Sequence, residues 1–390
     1  MENSWVIGPL SIVTEKRIIQ DGYLHIQDKK IHSICLEDNF PPNIQRILTN
    51  PEHICMPGMI DQHIHGIAGA DVMDATPEAL EIMSTSLVKH GVTSFLATTM
   101  TDSIENILRA LDIIKHRKKD LNGAELLGVH LEGPFINKKQ KGAQSEQHIL
   151  LPNIVQFKKF QEVIKNDLKL VTIAGELDED FVLLHYLNEV GLVASIGHSD
   201  ATYEEMASLL NAKLIQSATH FCNGMRNIHH REPGLQVALL ESQAMLEIIA
   251  DGYHIHPAMI QSIVRQVGCE RIILISDSIR ANGLPDGTYD LGGQLVQVQG
   301  KVCRLVAGNS IAGSVLNLND ARNHMKEWLQ LSYVELAKIT ATNSARLLRI
   351  DYKKGAIKAG LDADFYILNK NDCIVMTVCN GRVVYQDKEI

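Results

Sequence analysis

The stretch "PGMIDQHIHG", Pro57–Gly66, decides how this chain is read. It is apolar as far as Ile60, turns polar within a few residues, and closes on His63, His65 and a glycine. Residues i and i+2 of a strand project to the same face, so two imidazoles at the end of a buried-looking strand can bite one ion. Imidazole nitrogen and carboxylate oxygen are the usual ligands of a catalytic Zn²⁺ or Fe²⁺. H-x-H alone is a weak signal, because such pairs also sit in solvent or in satisfied core positions. Its weight depends on what the rest of the chain sets beside it.

Outward from this stretch, short β-rich runs alternate with helical stretches of about ten or more residues, the pattern of βα units. Eight strands are expected, at 58–65, 92–98, 126–132, 169–175, 192–197, 215–220, 246–251 and 272–277. Helical patterns follow most of them, in "TPEALEIMSTSLVKH", "SIENILRALDIIKHRK", "DEDFVLLHYLNEV", "TYEEMASLLNA" and "HPAMIQSIVRQV". Pro77 and Pro257 fall in a helix's first turn, where the missing N–H costs nothing. "NLNDARNHMKEWLQ" and "SYVELAKITATNSARLL" read as two more helices. The expectation is an α/β chain: a (β/α)8 TIM-like barrel over 56–349. The two ends, 1–55 and 350–390, read as short β segments broken by turn residues and are expected to pair into a small β-sandwich domain.

In such a barrel the active site lies at the C-terminal ends of the strands. Strand one ends in His63 and His65, strand three in "HLEGPF" with Glu132, strand five in "GHSD" with His198. Strand six ends in "ATHFCNGM" with His220, and strand eight in "ISDS" with Asp277. Singly, each residue has a plain structural reading: a loop anchor for the Glu, a helix cap for the Asp. Together they fill one face of the barrel with metal-ligand types. A Glu can bridge two ions, and an Asp beside the open coordination position can take a proton from water. Behind His220, "NGMRNIHHREPGL" gathers Asn223, Gly224, Arg226, His229, His230 and Arg231, and "ADGYHIHP" adds His254 and His256. Such groups can hold a phosphate, or they form a solvated or interface loop. His90, before Gly91, suits a helix C-terminus. His116 and His185 lie on helical patterns away from strand ends, and Cys222 reads as a small core residue.

These motifs, with "HHREPG", "IADGYHIHP", "ISDSIRANGLPDGTYDLGG", "SIAGS" and the terminal "KGAIKAGLDADFYIL", resemble the N-acetylglucosamine-6-phosphate deacetylases, a branch of the amidohydrolase superfamily. The likeness runs through nearly the whole chain. It implies metal-dependent hydrolysis of the acetamido group of a phosphorylated amino sugar. It implies Glu132, His198 and His220 as ligands of one divalent ion, with His63 and His65 completing a second site, so one or two Zn²⁺ or Fe²⁺ per subunit. Asp277 is then the general base and acid. Asn223, Gly224, Arg231 and His254 hold the sugar phosphate, and Ile311, Ala312 and Gly313 line the sugar pocket. Arg231 is expected to reach across a homodimer interface. After "KGA" many relatives carry a histidine that polarises the acetyl carbonyl; here Ala143 is followed by Gln144, whose amide N–H can still donate to a developing oxyanion. The galactosamine epimer fits the same motifs. A non-catalytic metal-binding scaffold would be expected to have lost Asp277 or the ligands, and all are present.

The bulk numbers agree with a metabolic enzyme. The chain has 390 residues, 45% hydrophobic, with net charge −9 and pI near 6.0, which implies no nucleic-acid partner. Seven scattered cysteines without a C-x-x-C pair fit a reducing cytoplasm. No secretory leader pattern and no run of about 18 apolar residues points to a membrane.

Overall fold

The structure, a computed structural model, describes residues 4–387. Met1–Asn3 and 388–390, assigned above to the terminal domain, lie outside the described residues. Eight strands form one parallel sheet in chain order: β1 (Met59–Ile64), β2 (Val92–Thr98), β3 (Glu125–Glu132), β4 (Leu168–Ile173), β5 (Val193–Ile196), β6 (Ser217–Ala218), β7 (Met245–Ile248) and β8 (Ile272–Leu274). Each expected strand is present. Just past β8, the chain closes the barrel onto β1: Asp277 N–H donates to His63 O at 3.0 Å, and Ser278 O accepts from His65 and Gly66. β1 and β2 are buried along their whole length, as parallel strands covered on both faces must be.

A helix follows every strand: α1 (Pro77–Leu87), α2 (Ile104–Arg117), α3 (Ile154–Ile164), α4 (Val182–Glu189), α5 (Tyr203–Asn211), α6 (Gly234–Glu241), α7 (Pro257–Val267) and α8 (Leu318–Leu329). Local signals set their starts. Thr76 caps α1 ahead of Pro77, and Thr202 with Glu205 forms a capping box on α5. The sequence reading did not name α3 and α6. α3 carried the signal, an Asn153 cap and buried Phe157, Phe160 and Ile164 at helical spacing. α6 did not: Gly234, Leu235, Gln236, Ala238 and Leu239 are all buried, so no apolar stripe stands out. Tyr333–Ala337 (α9) and Asn343–Leu347 (α10) are one helical run joined through a π segment, Lys338–Thr342.

The chain ends pair in a second sheet, ordered 382–386, 374–379, 365–368, 54–57, 4–13, 18–27, 30–35, with 45–48 also beside 4–13. Its far edge curls back on itself: Ile31 N–H donates to Leu361 O at 2.9 Å, and Ala363 N–H to Lys29 O at 2.8 Å. Phe365 and Ile367 enter the core of this sheet, whereas the alternate Tyr366 and Leu368 enter the barrel's core. The strand period of two thus serves both cores. A third sheet was not anticipated. Gly287–Leu291, Gln294–Gln299 and Val302–Leu305 form an antiparallel meander between β8 and α8. Its first turn is Gly292–Gly293, both at positive φ, the pairing that a two-residue hairpin favours. Among the described residues no helix is long and apolar enough to cross a membrane.

Candidate active site

At the C-terminal mouth of the barrel, β1 brings in His63 and His65, β3 Glu132, and the segments after β5, β6 and β8 His198, His220 and Asp277. All six are buried. Three of them, His198 (φ 48°), His220 (φ 32°) and Asp277 (φ 47°), are non-glycine residues in the left-handed region. Such backbone costs about 1–3 kcal/mol per residue and persists where the surroundings fix it, most often at functional sites. The glycines nearby make room. A Cβ on Gly224 would stand 2.9 Å from His198 Nδ1, and one on Gly197 would meet the Thr172 and Thr219 side chains below 3 Å.

The six residues form two contiguous groups, His63–His65–Asp277 and Glu132–His198–His220, each with ligand atoms within 4.8 Å of one another. Glu132 reaches both. Its Oε1 lies 3.2 Å from His198 Nε2 and 3.1 Å from His220 Nε2, and its Oε2 lies 3.2 Å from His65 Nε2. Asp277 Oδ1 stands 3.3 Å from His63 Nε2 and 3.4 Å from His65 Nε2.

The outward nitrogens explain which way the rings face. His65 Nδ1 donates to Thr98 O at 3.2 Å, His198 Nδ1 to Gln140 O at 2.8 Å, and His220 Nδ1 to Asn223 O at 3.1 Å. A carbonyl can only accept, so Nδ1 carries the hydrogen and Nε2 is left to face the centre. There, His63 and His65 Nε2 approach to 3.3 Å, and His198 and His220 Nε2 to 3.1 Å. Nitrogens this close are stable only around positive charge. Burial opposes the charged form of His220, yet Glu132 raises its pKa to about 9. Burial likewise pushes Asp277 up, but the neighbouring histidines hold it at about 2. The donor types and the pull toward positive charge both fit divalent metal.

The cleft above this floor is lined by Ala143, Gln144, Asn223, Gly224 and His254. Ile311, Ala312 and Gly313 close its other side. The sequence reading thus named most of the wall. It missed Met100 and Leu291, which bring the meander sheet to the cleft. Gln144 lines the cleft and also reaches its floor. Its amide nitrogen donates to Glu132 Oε2 at 2.8 Å, and its carbonyl accepts from Thr101 N–H at 2.7 Å. The side chain is engaged in aiming Glu132.

The basic cluster is dispersed. His254 enters the cleft with Nδ1 fixed on Asp251 Oδ2 at 2.6 Å, a partner the sequence reading did not name. His256 instead caps α7, accepting from Ala258 N–H. Arg226 pairs with Asp200 at 3.0 Å. Arg231 lies exposed on the loop after β6, bonded to His230 at 2.8 Å, and does not line its own chain's cleft. Cys222 is partly buried, and burial pushes its thiol up to about 12, so it is no nucleophile.

The profile of the amidohydrolase family matches residues 54–384. An N-acetylglucosamine-6-phosphate deacetylase of Bacillus subtilis (strain 168) is 40% identical over 100% of this chain and 99% of its own length. An N-acetylgalactosamine-6-phosphate deacetylase of Escherichia coli O157:H7 is 34% identical, covering 93% of this chain and 95% of its own. The crystal structure of the N-acetylglucosamine-6-phosphate deacetylase of Thermotoga maritima superposes with a TM-score of 0.86 at 35% identity, over 98% of this chain and 100% of that one. The chain belongs to the amidohydrolase family, in its branch of N-acetylglucosamine-6-phosphate deacetylases.

Proposed function

We propose that this protein hydrolyses N-acetylglucosamine 6-phosphate to glucosamine 6-phosphate and acetate. The observation that carries the reading is Glu132 reaching three inward-facing histidine nitrogens, with Asp277 on the same floor. Glu132, His198 and His220 would hold one divalent ion, Zn²⁺ or Fe²⁺, and His63, His65 and Asp277 would border a second. A bound ion lowers the pKa of water toward neutrality and polarises a carbonyl oxygen.

The chain's own groups do the rest. Asp277, ionised and buried, takes a proton from the attacking water as its oxygen bonds to the acetyl carbon. It returns that proton to the sugar nitrogen as the C–N bond breaks, so the products are amine and acetate. Gln144 holds Glu132 in register. His254, oriented by Asp251, presents Nε2 to the sugar phosphate side of the cleft, beside Asn223 and Gly224. Ile311–Gly313 bound the sugar ring.

Arg231 completes the phosphate site from the second subunit of a homodimer, which accounts for its distance from its own cleft. Residues 1–55 and 350–390 serve as a supporting β domain and 56–349 as the catalytic barrel. A cytoplasmic location suits the phosphorylated substrate and the seven free cysteines.

Acetate release tests the reading, with N-acetylglucosamine 6-phosphate, its C4 epimer and the unphosphorylated sugar run side by side. Highest kcat/KM on the first supports it. Preference for the epimer, the substrate named for the E. coli relative, keeps the chemistry and changes the sugar. No acetate from any of the three, on metal-loaded protein, rejects it. Arg231→Ala is expected to raise KM about tenfold or more with little change in kcat, as loss of a charge-assisted phosphate contact does. An unchanged KM removes Arg231 from the site.

A further inference from the structure

His63 is the one histidine of the floor whose outer nitrogen meets a carboxylate instead of a carbonyl. Glu247, in the apolar run "MLEI" of β7, is fully buried. Its Oε2 lies 3.1 Å from His63 Nδ1 and also accepts from the backbone N–H of His220 at 3.2 Å. Its Oε1 accepts from Gln62 Nε2 at 2.6 Å. One side chain therefore touches a ligand of each group, the His63 ring on one side and the His220 backbone on the other. No lysine or arginine pairs with it among the described ion pairs. Three nitrogens thus hold its two oxygens in place.

We propose that Glu247 is a positioning residue that holds His63 in its Nδ1–H tautomer, registers the two ligand groups against each other, and makes binding of the second ion favourable. The proposal rests on the two-ion reading of the site. Removing such a partner behind a ligand typically costs about 10- to 100-fold in metal affinity. The loss should fall on one ion only, because the His198 and His220 rings keep their own carbonyl partners and Glu132 keeps the Gln144 amide.

The experiment counts metal per chain on purified protein, with Zn²⁺ titrated into the apo form, for wild type, E247M and E247Q. The expected result is two ions in wild type. In E247M one ion is kept and the other weakened about 10- to 100-fold. E247Q should keep both, because an amide carbonyl can replace Oε2. Its N–H₂ can then face Gln62, whose Oε1 has no partner in the structure. Two unweakened ions in E247M overturn the proposal and leave the two-ion site standing. One ion in wild type overturns the two-ion reading and the proposal with it. A second measurement is independent of how E247M folds: ¹⁵N chemical shifts of His63 in loaded wild type should show Nδ1 protonated and Nε2 ligated. The reverse assignment also overturns the proposal.

Discussion

Strand β3 carries a glutamate at each end, and the two ends make opposite use of it. At its start, Glu125 joins Asp362 and Asp364 of the terminal sheet in a group as tight as the active-site ones. That group already has its cation. Lys354, 1% exposed in its side chain, bonds Asp364 and stands 2.7 Å from Glu125 Oε2. At the strand's other end, Glu132 faces histidines. Histidine is a metal ligand that tolerates a proton; lysine is a permanent tenant. Carboxylates brought together by a fold therefore say little until their neutralising partner is known. An ammonium carried by the chain makes a structural knot, here tying the barrel's base to the terminal sheet. Imidazoles leave the charge to be supplied from solution.

If that contrast holds, damage at the two ends should separate activity from stability. The largest effect belongs to the mouth. Asp277→Asn is expected to lower kcat about 10²- to 10⁴-fold, the usual share of an acid–base group, with no fall in the thermal midpoint. Turnover near wild type would falsify the assignment. At the base, Lys354→Met takes from buried Asp364 its one ion-pair partner among the described residues and is expected to cost about 3–5 kcal/mol in urea unfolding. KM should not move, and a shift in KM would mean that the two ends are not independent.

The smallest effect is one of pH. Burial raises Glu125, but the charge and hydrogen bond of Lys354 outweigh it and bring its pKa from the ordinary 4.5 to about 2. A carboxylate lowered on folding contributes stability that is complete above its unfolded value and lost as pH falls through its folded value. The urea midpoint should therefore decline between pH 4.5 and 2, and Glu125→Gln should flatten that part of the curve. A decline of equal steepness in the variant would assign the loss to other groups.

Much of this could be read before any coordinates. All eight strands lie where alternation and flanking helices placed them, and the six residues named from strand ends come together at the barrel mouth. α6 escaped because a helix buried nearly all round has no stripe. The meander did not need to escape: "YDLGGQLVQVQGKVCRL" alternates and turns on a Gly–Gly pair. Glu247 could have been flagged as a lone carboxylate in an apolar strand, although nothing local says what it holds.

The sequence by itself determined the barrel and which histidines and carboxylates meet at its mouth. Strand period and strand ends are local properties, written in residues a few positions apart. Only the tertiary structure decided partnership. It set Gln144 on Glu132, Asp251 on His254 and Lys354 among three acids, and it kept Arg231 out of its own cleft. His63 and Glu247 are 184 residues apart along the chain and 3.1 Å apart in space. Contacts of that kind exist only once the barrel has closed and set the length and angle of every approach.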